Sequence, residues 1–298
     1  MNYKSRILQD KAIHILMLAL TYMSIFSLFF ILIGLIYKSL PILTTHSFGD
    51  LLFSSEWFPL KNQFGLLSFI VSTLWVTGIA MVIAIPFCIL TAIYLSEYAD
   101  KRLLQWINPL IDILAGIPSV IFGIWGIILV VPFVRNYAAP FFGISSTGYS
   151  ILTGGIVLSV MVVPVMVHVL MEVFHTVSKG YKEASLSLGA TKWQTVKHVL
   201  LKKSAPGIVS AIVLSLSRAF GETLAVLMVV GNTTKMPTSS FDRGYPLPAL
   251  IANNYGEMMS IDLYDSALLL ASLVLFIIVL FFNVVSRIIL RKLEKSLV

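Results

Sequence analysis

Two ionisable residues lie inside an otherwise apolar stretch, where Arg218 and Glu222 interrupt a run of small and aliphatic side chains. A spacing of four places both side chains on one face of a helix. If that helix begins near Pro206, twelve residues at about 1.5 Å each put Arg218 roughly 18 Å along it, near the middle of a bilayer. A charge at that depth costs at least about 2.5 kcal/mol, so it requires a partner or a water-filled path.

Two hypotheses explain this pair of charges. In the structural one, Arg218 and Glu222 neutralise each other, although Arg before Glu is the weaker order for a helical pair. In the functional one, Arg218 supplies positive charge to an anion path and Glu222 holds or releases that charge. We favour the anion path, because ionisable groups inside membranes usually serve function. Ser119 is a further candidate for the path, because it follows a Gly-Ile-Pro interruption and discontinuous helices line substrate paths in transporters.

Residue patterns typical of enzymes are missing from the sequence. No Gly-x-x-x-x-Gly-Lys-Ser/Thr loop is present, so we expect that the chain does not bind or hydrolyse ATP itself. The single cysteine excludes an intrachain disulfide, and there is no Gly-x-Ser-x-Gly nucleophile motif. The histidines never approach metal-site spacing with carboxylates or with the cysteine; they are His14, His46, His168, His175 and His198. We therefore predict a transport scaffold with no catalytic residue, metal or cofactor of its own.

The composition predicts an all-α integral membrane protein that forms one domain over residues 1–298. Apolar residues make up 58% of the chain and charged residues only 12%, far from the balance of soluble proteins. Six apolar runs are long enough to cross a bilayer; they cover about 12–37, 66–94, 103–133, 151–174, 206–231 and 267–289. The first run is too long for a cleaved signal peptide, so we expect it to be retained. Four residues are predicted to break or bend these helices: Pro86, Gly116, Pro118 and Pro164.

The positive charges predict the orientation of the six spans. Fifteen Lys and Arg residues fall on one side, where both termini lie, five fall in the opposite loops, and Arg218 is left inside. The positive-inside rule therefore places both termini in the cytoplasm, and it explains the net charge of +7 without nucleic acid. The outer loops, about 38–65, 134–149 and 232–264, are large enough to form a docking surface.

A polar segment, 178–205, separates the fourth and fifth spans. Gly189 is suited to the left-handed conformation that ends a helix. Thr191 and Gln194 fit a capping box that starts the next one. The segment is thus predicted to form a helix, a sharp turn and a second helix. From the spacing alone, this pair is either a capped surface feature or a rigid knob for a partner protein.

The residues of this segment resemble the cytoplasmic loop signature of bacterial ABC importer permeases. That signature reads Glu-Ala-Ala, three residues, Gly, nine residues, then Ile-x-Leu-Pro. Here it appears as Glu183-Ala184-Ser185, Gly189 and Val199-Leu200-Leu201-Lys202, with departures at Ser185, Val199 and Lys202. Pro206 lies just beyond and is expected to end the second helix in place of the missing proline. Three other stretches narrow the resemblance to phosphate importer permeases of the PstC type rather than the PstA type; they are 92–99, 115–123 and 217–232.

The resemblance implies a type I ABC importer permease fold and a function. Segment 178–205 would be the coupling loop, with Glu183, Ala184, Ser185 and Gly189 seating in a separate ATPase subunit. The chain would carry inorganic phosphate into the cytoplasm across the bacterial inner membrane. Its partners would be a PstA-type permease, two PstB-type ATPases that bind the ATP and an extracytoplasmic PstS-type phosphate-binding protein. Two alternatives stay open: a permease for sulfate or molybdate, and an ion-coupled secondary transporter that works alone.

Overall fold

The computed structural model describes residues 3–257, 261 and 263–297, and it is helical almost throughout. In chain order the elements are α1 (Tyr3–Thr45), α2 (Phe48–Phe53), β1 (Trp57–Phe58), β2 (Gln63–Phe64), α3 (Leu67–Tyr98), α4 (Lys101–Gly116), α5 (Ser119–Phe141), α6 (Ile151–Thr176), α7 (Lys179–Ser187), α8 (Lys192–Gly221), α9 (Leu224–Val229), α10 (Leu247–Asn254) and α11 (Tyr264–Leu297). Three of the helices include π-helical turns, at Tyr94–Tyr98 in α3, at Gly126–Val130 and Val134–Ala138 in α5, and at Val196–Leu200 in α8.

Six of these helices are long and apolar enough to cross a membrane, which confirms the predicted number of spans. The bounds predicted for the third span, 103–133, are wrong, because the first part of that run belongs to the separate helix α4 and the span is α5. They are α1, α3, α5, α6, α8 and α11. Helix α1 continues to Thr45 and α5 to Phe141, so the first parts of the outer loops predicted over 38–65 and 134–149 are helical. The outer loop predicted over 232–264 includes residues 258–260 and 262, which lie outside the described residues.

The central core forms where α3, α6 and α8 pack together. Small residues allow this close packing: a Cβ added at Gly155 of α6 would lie 2.6 Å from Cγ2 of Ile79 on α3. Several side chains in the same apolar cluster are fully buried, among them Ala80, Cys88, Val162, Met166, Leu170, Phe174 and Leu200. Because α3 and α6 share this cluster along their length, they form the rigid centre of the molecule.

A second core lies between α1, α10 and α11. The β1–β2 hairpin pairs Trp57 with Phe64, and the two rings are in contact. The ring of Trp57 also packs against Phe69 and Tyr264, and Phe69 packs against Tyr245. Helix α1 joins this core only through its later part, because every side chain from residue 11 to residue 30 is exposed. Residues 11–30 of α1 therefore bury no side chain against the described part of this chain.

The proline positions only partly match the prediction. Helix α3 continues through Pro86 and α6 continues through Pro164, so among the four predicted breaks only Gly116 and Pro118 border an interruption. Residues before and after each proline are buried in the central core, namely Ala84 and Cys88 on α3 and Val162 and Met166 on α6, so packing supports both helices where a proline removes one backbone bond.

The predicted start of the fifth span near Pro206 is wrong. Helix α8 begins at Lys192, and Pro206 lies in its interior instead of ending a second short helix. Two buried side chains, Val196 and Leu200, hold the first turns of α8 in the central core. The hydroxyl of Ser204 also donates to the backbone oxygen of Leu200. The helix therefore has tertiary support on the loop side of the proline.

Candidate functional site

Two interrupted helices restart side by side in the middle of the molecule. Helix α5 begins after the break at Ile117 and Pro118, and α9 begins after the break at Glu222 and Thr223. A Cβ on Gly123 would lie 3.3 Å from Cα of Ala225. One turn further along both helices, a Cβ on Gly126 would lie 2.9 Å from Val229. The two helices are therefore parallel and in close contact, and their first residues, Ser119 and Leu224, lie within about one turn of each other along them.

Arg218 and Glu222 do not share a helix face, contrary to the prediction. Helix α8 ends at Gly221, and Glu222 is extended, with φ −72° and ψ 127°. Among the described residues, Glu222 makes no ion pair within 4 Å, with Arg218 or any other cation. Its Oε1 instead accepts a hydrogen bond from the backbone N of Ala225 at 3.1 Å. The carboxylate thus satisfies an amide that the start of α9 leaves free, and the structure shows no direct ion pair between Arg218 and Glu222.

The side chain of Arg218 faces away from the core of this chain. It is exposed in the last turn of α8, whereas its neighbours Ala219 and Phe220 are buried. On the preceding residue, the hydroxyl of Ser217 donates to Oδ1 of Asn283 at 3.3 Å, which ties this end of α8 to α11. A guanidinium held at this level of a membrane span requires water or another chain beside it.

The remaining polar residues near the breaks take different positions. Ser119 is the first residue of α5 and is half-buried directly after the interruption at Pro118. Asp112, on α4, lies 3.7 Å from Nδ1 of His168 on α6 and not beside Arg218. Ser119 therefore lies at the level of the breaks, while Asp112 faces a different neighbour.

The helix, turn and helix predicted for segment 178–205 are confirmed, and we call this segment the coupling loop after its predicted role. Helix α7 ends at Ser187, and Gly189 has φ +84°, in the left-handed region. Thr191 then caps α8: its hydroxyl accepts from the N of Gln194 at 3.2 Å, and Oε1 of Gln194 accepts from the N of Thr191 at 2.8 Å. Both signals are local, which is why the sequence alone was sufficient to place them.

The tip of the coupling loop carries exposed apolar side chains. Leu188 is 89% exposed beside the turn, and Glu183, Ala184 and Gly189 are exposed on the same loop. Further large apolar side chains are exposed around them, namely Tyr181, Leu186 and Trp193. Sequence reasoning missed these residues, although apolar residues within a polar segment were the available signal. Exposed apolar patches of this kind occur at contact sites for other proteins or for membranes.

Ser185, a departure from the signature, has a structural role in the loop. Its hydroxyl lies 3.0 Å from that of Thr195, so it links α7 to the start of α8. The signature residue alanine has no atom that makes this bond. Of the four predicted coupling residues, Ser185 is therefore a brace inside the loop and the other three lie on its surface.

This chain matches one family of membrane transport components, and several permeases named for phosphate transport are similar to it. The model of a family described as binding-protein-dependent transport system inner membrane component matches residues 84–298. The phosphate transport system permease protein PstC of Xylella fastidiosa is 37% identical over 258 residues, covering 82% of this chain and 79% of that protein. A probable phosphate transport system permease protein PstC of Methanocaldococcus jannaschii is 35% identical over 277 residues, covering 88% and 87%.

Solved structures with the same fold are also ABC transporters. An inward-facing MetNI methionine ABC transporter gives a TM-score of 0.61 at 20% identity, covering 80% of this chain and 99% of that chain. A bacterial alginate ABC transporter in complex with a pentasaccharide-bound periplasmic protein gives a TM-score of 0.62 at 17% identity, covering 97% and 99%. At these identities the likeness shows the fold alone.

Proposed function

Since the chain belongs to the family of binding-protein-dependent transport system inner membrane components, we propose that it is the PstC-type permease subunit of an ABC importer that carries inorganic phosphate into the cytoplasm. As a member of this family it is a multi-pass inner membrane transport component with a type I permease fold. The observation that carries the choice of phosphate is the 35 to 37% identity to permeases named PstC over more than four fifths of the chain.

The proposed complex contains a PstA-type permease, two PstB-type ATPases and a PstS-type binding protein. ATP is bound by the ATPase subunits, and this chain has no cofactor of its own. The exposed apolar tip of the coupling loop, with Leu188 and Trp193, supports the contact with an ATPase. The split of fifteen to five in positive charge supports the placement of this loop and both termini in the cytoplasm.

The proposed substrate path runs past the two helix breaks, with Arg218 as its cation. Support comes from the exposed guanidinium, which has no ion pair with Glu222 and therefore presents its charge outside this chain. Glu222 supports the path indirectly, since its carboxylate fixes the start of α9. Ser119 lies at the same level and is a second polar contact for the anion.

Three variants test the path: Arg218→Gln, Glu222→Gln and the double change. We expect Arg218→Gln to assemble normally but abolish phosphate uptake, and we expect the double variant to stay inactive. Glu222→Gln keeps an oxygen that accepts from Ala225, so its uptake should be reduced less. Recovery of wild-type uptake in the double variant would show a structural pair and refute the path.

Phosphate uptake in cells with and without this chain tests the substrate itself. We expect uptake to depend on the chain and to be unaffected by excess sulfate or molybdate. Competition by either anion would move the assignment to another oxyanion. Purification of the chain from the same cells tests the class, because an ABC permease should bring an ATPase with it whereas a self-sufficient ion-coupled carrier should not.

A further inference from the structure

Helix α3 ends, on the side of the coupling loop, in a π-helical turn that the proposed function leaves unused. In this turn, which lies in the stretch 92–99, the N of Ala99 donates to the backbone oxygen of Tyr94 at 2.9 Å. Such widened turns are rare, and they occur frequently at functional sites. Here the turn presents Glu97 and Tyr98 to the coupling loop.

Glu97 and Tyr98 each hold one lysine of the coupling loop. Nζ of Lys182 forms an ion pair with Oε1 of Glu97, and the two side chains are only 20% and 13% exposed. Nζ of Lys192 lies 4.7 Å from the centre of the Tyr98 ring, within the range of a cation–π contact. Lys182 lies on α7 and Lys192 begins α8, so the end of α3 contacts both helices of the loop.

The coupling loop is also braced internally. The hydroxyls of Ser185 and Thr195 join its two helices, and Nζ of Lys203 lies 5.3 Å from the centre of the Tyr181 ring. The base of the loop shares the central core with α3 through three buried side chains, Leu95, Val196 and Leu200. The loop therefore has fixed contacts both within itself and with α3.

We propose that the Glu97–Lys182 ion pair makes the coupling loop and α3 move as one body when the ATPase subunits move the loop. Glu97 is then a positioning residue for transport, acting through Lys182. Because α3 packs along α6, displacement of the loop tip reaches the centre of the permease without being lost in bending of the loop. This inference rests on the proposed function, since it requires ATP-driven movement of the loop.

The burial of the pair makes it suited to this role. A fully exposed ion pair contributes little, because water and salt screen it. Glu97 and Lys182 line a pocket of about 190 Å³ together with Thr195 and Leu200, and the low exposure of both side chains shields the pair from most of the bulk water. The partners are 85 residues apart in sequence, so their contact ties two separate segments.

The test uses the assembled complex in proteoliposomes, with phosphate uptake and ATP hydrolysis measured together. We expect Glu97→Gln and Lys182→Gln to lower the phosphate carried per ATP hydrolysed by roughly two- to thirtyfold, the range for changes that alter coupling between distant sites. The exchange Glu97→Lys with Lys182→Glu should restore most of that ratio. Asp100→Asn and Lys197→Gln are the matched controls, because both residues are exposed, carry the same charges and lie near the pair on the same side of the chain.

An unchanged ratio in both single variants, or a lowered ratio that the charge exchange does not restore, would overturn the proposal. If the single variants fail to assemble, a covalent link decides the question. Cysteines at positions 97 and 182, in a Cys88→Ala background, are joined by a short bismaleimide. One rigid body predicts that the linked complex still transports phosphate, whereas loss of transport on linking would show that loop and α3 must separate. If the wild-type complex carries another oxyanion, only the phosphate assignment is refuted. The ion-pair proposal is then tested by the amount of that anion carried per ATP hydrolysed in the same variants.

Discussion

The turn of the coupling loop offers a sharp test of its role, through substitution of Gly189. This residue has φ +84°, and a Cβ added there would meet nothing within 4 Å. A side chain at this position would therefore clash with no neighbouring residue, and the free-energy cost of the substitution comes from the left-handed backbone conformation alone. The turn that it supports includes a bond from the N of Ala190 to the backbone oxygen of Ser185 at 3.3 Å.

The expected effect follows the left-handed preference of each residue type. For a residue with a Cβ, this conformation costs about 1–2 kcal/mol, and a β-branched valine is the least tolerant. Asparagine visits it more readily. We therefore expect Gly189→Val to displace the cap at Thr191 and the apolar tip at Leu188, while Gly189→Asn keeps the turn. The spans should insert in both variants, because their hydrophobicity is unchanged.

The assay measures copurified ATPase and phosphate uptake at matched amounts of membrane-inserted chain. Gly189→Val should lose most of both, and Gly189→Asn should retain them. Gly143→Val is the matched control, because Gly143 also has a positive φ of +68° and open space around it but lies near the opposite end of a span. Normal uptake with an intact complex in Gly189→Val would refute the coupling role of the turn, and equal loss of ATPase in Gly143→Val would indicate general destabilisation.

Three further predictions concern other parts of the chain. In a Cys88→Ala background, a cysteine introduced at Ser239 should be labelled from outside the cell, and one at Ser187 only from the cytoplasm. Reversed labelling would overturn the orientation. Thermal unfolding of the purified complex should show Glu222→Ala less stable than Glu222→Gln by about 1–3 kcal/mol, because only alanine leaves the amide that begins α9 unpaired; equal stability would contradict that role. Burial raises the pKa of Asp242, but hydrogen bonds from the N and Oγ1 of Thr238 and the N of Ser239 outweigh it and hold the pKa below its ordinary value. This contribution to stability is present above about pH 3.9 and is lost as the pH falls through the lowered pKa. Protection of residues 238–242 against hydrogen exchange, relative to the intrinsic rate at each pH, should therefore fall in acid, and Asp242→Asn should show no such pH dependence.

The sequence alone determined the features that depend on neighbouring residues. Six spans follow from the length of each apolar run, since any such run must leave water. The turn at Gly189 and the cap at Thr191 follow from bonds within a few residues. The resemblance to importer permeases rests on short stretches of the same kind, because each motif depends on the order of neighbouring residues and on no tertiary contact.

Tertiary structure decided the features that depend on contacts between distant residues. Pro86 was expected to break or bend its helix and Pro206 to end one, yet both helices continue through the proline, with buried neighbours on the same helix. The spacing of Arg218 and Glu222 predicted that they share a helix face, but the helix ends at Gly221, where α9 packs closely against α5. The Glu222 carboxylate therefore accepts a hydrogen bond from the N of Ala225 instead. The bond from Lys182 to Glu97 spans 85 residues, and no local pattern contains it. A helix period gives the direction of a side chain only while the helix continues, and whether it continues is decided by what packs against it.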